Sequence, residues 1–308
     1  MASTLPKQTP GAQLSGKPTA PMSGGAISAG QCFLNAAGVH VQGQGRPLLL
    51  INGLLHGCEL WELMLRHLPA GRQIIRFDFP HQNDSQFSDG YQSFERYCDF
   101  VLELLAALGL EPGETEAIGF SIGGDVLRTL IVERGVRFRH VIIAASAPPG
   151  IERFWKEFFV SALECLRRGH LDTFVRLIAF QFYSPLYIER FPKLIHVMHL
   201  KYLQKFPNAR RLEELLSIPL QRRRPDPVCD AVLRGRATLI HGVYDQLVPI
   251  GPARRYADEL GLPVHEIECG HSLLAEAPDA FAQHAMRILG TRDARGSGQH
   301  ERGMPESA

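Results

Sequence analysis

Residues 116–125 read E-A-I-G-F-S-I-G-G-D, and this stretch decides the fold. An apolar run that is typical of a buried strand leads into G-x-S-x-G, and a helical pattern follows it. A serine on a sharp, strained turn holds its hydroxyl clear of the backbone, where side chains two positions away on either side would collide. Gly119 and Gly123 meet that need around Ser121. The pattern therefore favours a catalytic turn with Ser121 as the nucleophile over a Gly-rich connector.

Short apolar runs alternate with helical patterns on both sides of this turn. Near-continuous apolar runs are typical of strands that are buried on both faces of a parallel sheet. The strand candidates are residues 46–52, 73–79, 116–120, 140–145, 237–241 and 264–268, and the helix candidates are 60–68, 94–108, 124–133, 252–260 and 278–289. This alternation predicts an α/β fold with a wound, mostly parallel sheet.

One segment, residues 151–225, interrupts the alternation, because it has helical patterns and no convincing strand. We expect it to form a helical cap over the carboxyl edge of the sheet, between the two parts of one core, 31–150 and 226–290. Residues 1–30 are rich in Pro, Gly, Ser, Thr and Ala, and residues 291–308 are polar and contain Gly. We therefore predict a disordered leader and a disordered tail.

Composition argues against several classes of protein. The chain has 308 residues, with 33 Lys and Arg against 32 Asp and Glu, and this near-zero net charge argues against a nucleic-acid-binding protein. No apolar run is long enough to predict a transmembrane span. The six cysteines form no C-x-x-C pair, so we expect reduced thiols in a cytoplasmic protein. No dinucleotide-binding glycine motif, P-loop or H-E-x-x-H occurs, so we expect no cofactor and no metal ion.

A serine hydroxyl needs a base to take its proton, and the base needs a carboxylate to orient it. His271 lies after the last predicted strand, in E-C-G-H-S-L-L-A-E-A-P, and is the best candidate for the base. Asp245, in L-I-H-G-V-Y-D-Q-L-V-P, follows the fifth predicted strand and is the candidate for the carboxylate. Its alternative role is that of a turn or helix-cap residue. The chain order Ser121, Asp245, His271 is the order expected for this architecture.

The negative charge that develops on a carbonyl oxygen during acyl transfer needs two aimed N–H donors. The backbone N–H of Ile122 follows the serine at a helix N-terminus and is predicted to be one of them. The second is predicted in the loop I-N-G-L-L-H-G-C, where Gly53 lets the backbone turn and Leu54 offers its N–H. His56 and Cys58 follow in this loop, and they either line the pocket or pack within the loop.

Together these features resemble the α/β-hydrolase superfamily, over about residues 34–290. The resemblance rests on Asn52-Gly53 with Trp61 downstream, R-F-D-F-P at 76–80, the turn at 119–124, G-V-Y-D-Q-L-V-P at 242–249 and G-H-S-L-L-A-E-A-P at 270–278. It implies a mostly parallel eight-stranded sheet, flanking helices and an inserted cap. By matching position, it also implies Ser121 as nucleophile, Asp245 as acid and His271 as base.

Two departures resemble a narrower group. Asn52-Gly53 stands where many members have His-Gly, and residues 78–85 lack the glycine-rich motif that many members carry after the next strand. Both features are similar to those of enzymes that act on 3-hydroxyacyl thioesters or esters. These enzymes include synthases that form 3-(3-hydroxyalkanoyloxy)alkanoates and intracellular polyhydroxyalkanoate depolymerases. Serine at position 121 argues against haloalkane dehalogenases and epoxide hydrolases of this fold, which use Asp there.

The cap segment is aromatic and basic. Phe154, Trp155 and Phe158 are its predicted substrate-binding residues, and Gly53 and Phe120 complete this set near the nucleophile. The cap aromatics either line an apolar tunnel for an alkyl chain or simply pack the helices together. The cap also carries 14 Lys and Arg against 7 Asp and Glu, with its strongest cluster at 222–224. This excess indicates either a docking surface for an acidic acyl carrier protein or ordinary solvated helix faces.

The expected function is that of a serine-dependent acyl hydrolase, either an esterase or a thioesterase, that acts on an apolar acyl or 3-hydroxyacyl substrate. The first alternative is an acyltransferase that joins 3-hydroxyacyl chains from acyl carrier protein or CoA, because the same triad serves both reactions. The second alternative is a non-catalytic binding protein, since a fold does not fix a function.

Overall fold

The computed structural model describes residues 34–297, with gaps at 35, 69–70, 81, 83–84, 86–92, 207–208 and 223–226. The predicted leader, 1–30, and residues 298–308 of the predicted tail lie outside the described residues. In the part of the chain that is described, no helix is both long enough and apolar enough to cross a bilayer.

Seven strands form a single sheet. They are β1 (His40–Gln42), β2 (Arg46–Ile51), β3 (Arg72–Arg76), β4 (Glu116–Phe120), β5 (His140–Ala144), β6 (Ala237–Gly242) and β7 (Val264–Ile267). Their order across the sheet is β1-β3-β2-β4-β5-β6-β7. The edge strand β1 is antiparallel to β3, and every other neighbouring pair is parallel. The carboxyl ends of the parallel strands therefore lie at one edge of the sheet, where the candidate site is built.

Alternate residues of β2 explain why its sequence is almost entirely apolar. Successive side chains of a strand point to opposite faces of the sheet. Leu48 and Leu50 join the hydrophobic layer on one face, whereas Leu49 and Ile51 join the layer on the other. All four side chains are fully buried, because helices cover both faces.

The described α-helices of at least four residues number eleven. They are α1 (Glu62–Leu65), α2 (Phe94–Ala107), α3 (Ile122–Val132), α4 (Glu152–Arg167), α5 (Leu171–Phe182), α6 (Pro185–Arg190), α7 (Pro192–Lys205), α8 (Ala209–Ser217), α9 (Ile250–Leu260), α10 (Leu273–Glu276) and α11 (Pro278–Ser297). Side chains of α2, α3 and α9 belong to the hydrophobic layer on one face of the sheet, and those of α1, α10 and α11 to the layer on the other.

Five of these helices, α4 to α8, lie between β5 and β6 and occupy most of the predicted cap segment. α4 shows why this segment folds as a helix. Its buried residues, Trp155, Phe159, Ala162, Leu163 and Leu166, recur at the spacing of one helical face, whereas the residues between them are largely exposed. The cap is thus an amphipathic helical layer that packs its apolar face inward.

The six predicted strands are all present, with boundaries within two or three residues of the prediction. The exposed strand β1 was missed, because H-V-Q is too short and too polar to show a strand pattern. The resemblance implied eight strands, and the described part of the chain has seven. Ahead of β1, residues 34 and 36 are helical and residues 37–38 form a turn. α11 continues to Ser297, beyond the predicted end of the folded body.

Candidate active site

The turn between β4 and α3 holds Ser121 in a strained conformation. Its φ is 53° and its ψ is −122°, in a region that non-glycine residues seldom adopt. A Cβ on Gly119 would collide with the Gly123 carbonyl, and a Cβ on Gly123 would collide with the carbonyl of Ile51. Glycine at both positions therefore permits the turn, which is held by a hydrogen bond from the Ser121 N–H to the Ala144 carbonyl at 2.8 Å.

The structure brings the three predicted catalytic residues together, although they come from three separate loops. The Ser121 hydroxyl oxygen lies 3.0 Å from Nε2 of His271, and Nδ1 of that ring lies 2.8 Å from Oδ2 of Asp245. All three side chains are buried. The distances fit a serine hydroxyl next to a base that is itself oriented by a carboxylate.

Hydrogen bonds hold the Asp245 carboxylate in place with one oxygen next to His271. Its Oδ1 accepts a hydrogen bond from the Val248 N–H at 2.7 Å. A second imidazole, that of His241, lies 3.6 Å from Oδ2, but burial lowers its pKa and its Nε2 donates to the Val248 carbonyl at 2.7 Å. A neutral His241 leaves the Asp245 charge to orient His271 and to stabilise its protonated form.

The two predicted oxyanion donors, Ile122 and Leu54, both line the cavity beside Ser121. Ile122 is the first residue of α3, where a backbone N–H has no acceptor within its own helix. Among the described residues, neither the Ile122 N–H nor the Leu54 N–H donates to a protein acceptor. Leu55 has a φ of 68°, so the loop has a second strained turn directly after Leu54.

The cavity at Ser121 is small and apolar. Its volume is about 20 Å³, which is room for about one water molecule. Its walls carry no Lys, Arg, Asp or Glu among the described residues, and the polar side chains in them are those of Ser121, His56 and His271. The remaining lining residues are Leu54, Leu55, Ile122, Trp155, Phe158, Phe159, Ile178, Phe182, Leu216, Pro219 and Leu247.

Three of the five predicted substrate-binding residues do not line this cavity. Phe154 is 47% exposed, because it lies one helical step away from the inward face of α4 that carries Trp155 and Phe158. Gly53 and Phe120 lie beneath the cavity floor, where a Cβ on Gly53 would come within 2.8 Å of the Phe120 ring. Phe120 instead packs on the rings of His271 and His56, at 5.3 Å and 5.8 Å.

The loop after β2 divides its side chains between the cavity and the core. His56 lines the cavity, and burial lowers its pKa to about 3, so its ring is neutral at physiological pH. Cys58 is buried, and burial together with the neighbouring Asp78 raises its pKa to about 12. The thiol therefore stays protonated and is no rival nucleophile. Oδ1 of Asp78 accepts from the Cys58 N–H at 2.7 Å and so anchors the loop.

One group of side chains in the described residues has ligand atoms close enough together to hold a metal ion. The relevant atoms of Cys58, Glu59 and Asp78 lie within 4.8 Å of one another. A protonated thiol is a poor metal ligand, and Asp78 already accepts a backbone hydrogen bond. These contacts suit an anchor for the loop better than a metal centre.

A carboxylate that sequence reasoning missed supports the His271 loop. Glu276 Oε1 accepts from the N–H groups of Ser184 and Gly270, at 2.9 Å and 3.0 Å, and its Oε2 accepts from the Ser184 hydroxyl. The signal was present in the motif G-H-S-L-L-A-E-A-P, where the one acidic side chain follows the base by five residues. Its partner in the cap, Ser184, carries no comparable signal.

The predicted basic cluster at 222–224 is in part internal. The Arg222 side chain is almost fully buried, pairs with Asp125 at the start of α3 and lies over the Phe94 ring at 5.5 Å. It is therefore not an exposed docking residue, because a buried arginine is held by the carboxylate and the aromatic face that surround it. Arg223 and Arg224 lie outside the described residues.

Curated relatives match this chain at low identity. 2-Hydroxymuconate semialdehyde hydrolase of Pseudomonas sp. (strain CF600) is 24% identical over 84% of this chain and 93% of its own length. (E)-2-((N-methylformamido)methylene)succinate hydrolase of Acinetobacter baylyi is 25% identical over 42% of this chain, and pimeloyl-[acyl-carrier protein] methyl ester esterase of Legionella pneumophila is 27% identical over 45%. The matches span about half of these two relatives, 49% and 56%.

The fold has close structural counterparts. MGS-M2, an alpha/beta hydrolase enzyme from a deep-sea metagenome library, superimposes with a TM-score of 0.72 and 14% identity over 88% of this chain and 96% of its own. The narrower resemblance to 3-hydroxyacyl synthases and polyhydroxyalkanoate depolymerases is not confirmed by these relatives. The family model described as the alpha/beta hydrolase family matches residues 48–284, which is most of the described body. The chain therefore belongs to the alpha/beta hydrolase family.

Proposed function

We propose that this protein is a serine-dependent acyl hydrolase that cleaves an ester or thioester of an apolar, uncharged acyl group. The strongest support is the hydrogen-bonded series of Ser121, His271 and Asp245, with distances of 3.0 Å and 2.8 Å, at an apolar cavity. A purely binding protein has no need of a strained serine, an oriented base and two unpartnered N–H groups in one place.

In the first half of the reaction, the Ser121 oxygen attacks the carbonyl carbon while Nε2 of His271 takes the hydroxyl proton. Asp245 stabilises the imidazolium that forms. The carbonyl oxygen becomes an oxyanion, which the N–H groups of Ile122 and Leu54 stabilise. When the tetrahedral intermediate collapses, the bond to the leaving group breaks, His271 gives its proton to the departing alcohol or thiol, and an acyl-enzyme remains.

In the second half, water attacks the acyl-enzyme. His271 takes a proton from the water, and the tetrahedral intermediate forms again at the same two N–H groups. Its collapse releases the free acid, and the proton returns to Ser121. Relatives named as hydrolases and as a methyl ester esterase support water as the acceptor over a second hydroxyacyl group. Acyl transfer needs the same residues and differs in this step alone.

A labelling experiment tests the nucleophile. The wild-type protein and the variant Ser121→Ala are incubated with a fluorophosphonate, and the modified residue is located by peptide mass spectrometry. We expect covalent labelling at Ser121 and its loss in the variant, while Ser217→Ala, whose hydroxyl donates to the Glu214 carbonyl, labels like the wild type. An unlabelled wild type, or equal ester turnover by Ser121→Ala, would overturn the proposal.

A product analysis tests the acceptor. The protein is incubated with a 3-hydroxyacyl-CoA, a 3-hydroxyacyl-carrier protein and simple alkyl esters, and the products are identified by mass spectrometry. Hydrolysis gives free acids from the accepted substrates. A dimeric hydroxyacyl ester as the main product would replace hydrolysis by acyl transfer.

A further inference from the structure

A second apolar space lies on the outer side of the cap, between α4 and α5. This groove has a volume of about 310 Å³, within the range of ligand pockets, whereas the cavity at Ser121 measures about 20 Å³. Its lining is apolar apart from Ser161, Cys165 and Gln181. We call it the α4–α5 groove, and its other lining residues are Phe158, Ala162, Phe174, Leu177, Ile178 and Phe180.

The groove and the catalytic cavity share a wall. Phe158 and Ile178 line both spaces, so these two side chains form part of the wall between them. Leu177 and Phe180 are 56% and 53% exposed, which is unusual for large apolar side chains that lie side by side on one helix. An apolar strip therefore runs from the surface of the cap to the wall of the cavity.

Phe158 is the less buried of the two wall residues, since Ile178 is only 4% exposed. Its neighbour Trp155 is buried and anchored by a hydrogen bond from its Nε1 to the Leu247 carbonyl at 3.1 Å, and Phe159 is 5% exposed. Phe158 is only half-buried, and its ring packs edge-to-face on Phe159 at 5.2 Å. A rotamer change of a half-buried phenylalanine is a small, fast movement.

A second groove borders the cavity on the other side of α4, but it suits an alkyl chain less well. It shares Trp155, Phe159 and Pro219 with the cavity, and its outer walls include Glu152, Lys156 and Arg222. An alkyl chain in this second groove would lie against charged side chains and desolvate them at a cost. The α4–α5 groove has no charged side chain in its described lining.

We propose that the α4–α5 groove is the binding site for the distal part of the acyl chain, which reaches Ser121 past a gate formed by Phe158 and Ile178. This inference rests on the proposed acyl-hydrolase function and specifies its substrate as a medium-length or longer alkyl acyl group. The carbonyl carbon lies at Ser121, the first carbons fill the small cavity, and the remaining chain lies in the groove. Short acyl groups are turned over without using the groove.

Chain-length selectivity tests this assignment. Leu177→Asp places a carboxylate in the groove without touching the cavity, and Leu186→Asp, at a residue that is 65% exposed on α6 and lines neither space, is the matched control. The measurement is kcat/KM for 4-nitrophenyl acetate and for the octanoate ester. We expect Leu177→Asp to lower the ratio of kcat/KM for octanoate to kcat/KM for acetate by at least about tenfold. The reason is that an alkyl chain next to the new carboxylate would bind at least about tenfold more weakly.

The two proposals fail in different ways. An unchanged ratio in Leu177→Asp, with acetate turnover and Ser121 labelling intact, would overturn the groove and leave the hydrolase. Equal turnover by Ser121→Ala would overturn the hydrolase itself. An equal fall of the ratio in Leu186→Asp would also overturn the groove, because the effect would then be one of surface charge.

Cys165 in the groove provides an independent readout. The variant Cys32→Ser/Cys229→Ser leaves Cys165 as the accessible thiol, because Cys58, Cys98 and Cys269 are buried. The protein is first reacted at Ser121 with an ethyl or a dodecyl fluorophosphonate and then with iodoacetamide. We expect the dodecyl chain to slow alkylation of Cys165 by at least about tenfold, since thiol reaction depends on access, and the ethyl chain to leave it unchanged. Equal alkylation rates after both reagents would overturn the assignment.

Discussion

Glu276 and Ser184 tie the cap to the loop that carries His271. The Ser184 hydroxyl donates to Oε2 of Glu276 at 2.6 Å, and the Ser184 N–H donates to Oε1 at 2.9 Å. The same Oε1 accepts from the N–H of Gly270, which precedes His271. A further hydrogen bond, from the Ser272 N–H to the Phe182 carbonyl at 2.8 Å, joins the same two segments. The position of His271 thus depends on the position of the cap relative to this loop.

Glu276→Ala is therefore expected to lower kcat by about 10²-fold, because it frees the backbone on either side of His271 and small misplacements of catalytic groups carry costs of that size. Glu276→Gln keeps one oxygen that can accept both N–H groups, so it should retain most of the activity. The measurement is steady-state kinetics with a short ester, with the melting temperature as a check on folding. Equal losses in both variants, or a change in KM alone, would contradict a positioning role.

Asp245→Asn tests the orientation of the base. The substitution removes the charge that holds Nδ1–H of His271, and an amide can present an N–H where an acceptor is needed, so the ring is held in the wrong tautomer. We expect kcat to fall by about 10⁴-fold if the precedent of serine triads transfers, with covalent labelling of Ser121 slowed in parallel. Asp279→Asn on the surface is the matched control. A near-normal rate for Asp245→Asn would assign the carboxylate role to another residue.

The sequence predicted the sheet well, because buried strands depend on local patterns. Apolar runs specify buried strands, and Ser121, Asp245 and His271 each follow one of those strands, so the topology gathers them at one edge. Phe154 was misplaced, because composition identifies an aromatic helix without telling which residues face inward. The buried pair of Arg222 and Asp125 could not be predicted, since nearly a hundred residues of chain separate its members and neither carries a motif.

The absence of charged residues from the described cavity walls predicts selectivity for neutral acyl groups. A carboxylate on the acyl chain would enter an apolar site with no arginine or lysine to pair with it, and an unpaired buried charge costs several kcal/mol. We expect kcat/KM for the 4-nitrophenyl monoester of succinate to be at least about 10²-fold below that for the butyrate ester. Equal rates for the two esters would contradict the expectation.

His56 predicts an acid-sensitive contribution to stability. Burial lowers its pKa in the folded protein to about 3, against an ordinary value of 6.5, so folding excludes a proton that the unfolded chain binds. The contribution is complete above pH 6.5 and decreases as the pH falls toward 3, at up to about 1.4 kcal/mol per pH unit. The free energy of unfolding of wild type and His56→Phe is measured by urea denaturation at pH 7.5 and 5.0.

The wild type should lose about 2 kcal/mol more than His56→Phe between these two pH values, because the variant has no imidazole to protonate. His196→Phe, at an exposed position on α7, controls for the loss of one histidine and should follow the wild type. An equal loss of unfolding free energy in wild type and His56→Phe would show that this ring does not cause the loss of stability at acid pH.

Arg222 predicts a defect in stability where the sequence indicated a docking surface. Arg222→Ala would leave the Asp125 carboxylate buried without its partner, which costs about 3–5 kcal/mol of unfolding free energy. The double variant Arg222→Met/Asp125→Asn removes both charges and should recover much of that loss, since a buried ion pair replaced by neutral groups of similar size is often close to neutral in free energy. Urea denaturation of Arg222→Met, Asp125→Asn and the double variant gives the coupling between the residues. Additive losses of unfolding free energy would mean that the two charges do not interact. If Arg222→Ala were as stable as the wild type and only its turnover of carrier-protein substrates fell, Arg222 would instead be a docking residue.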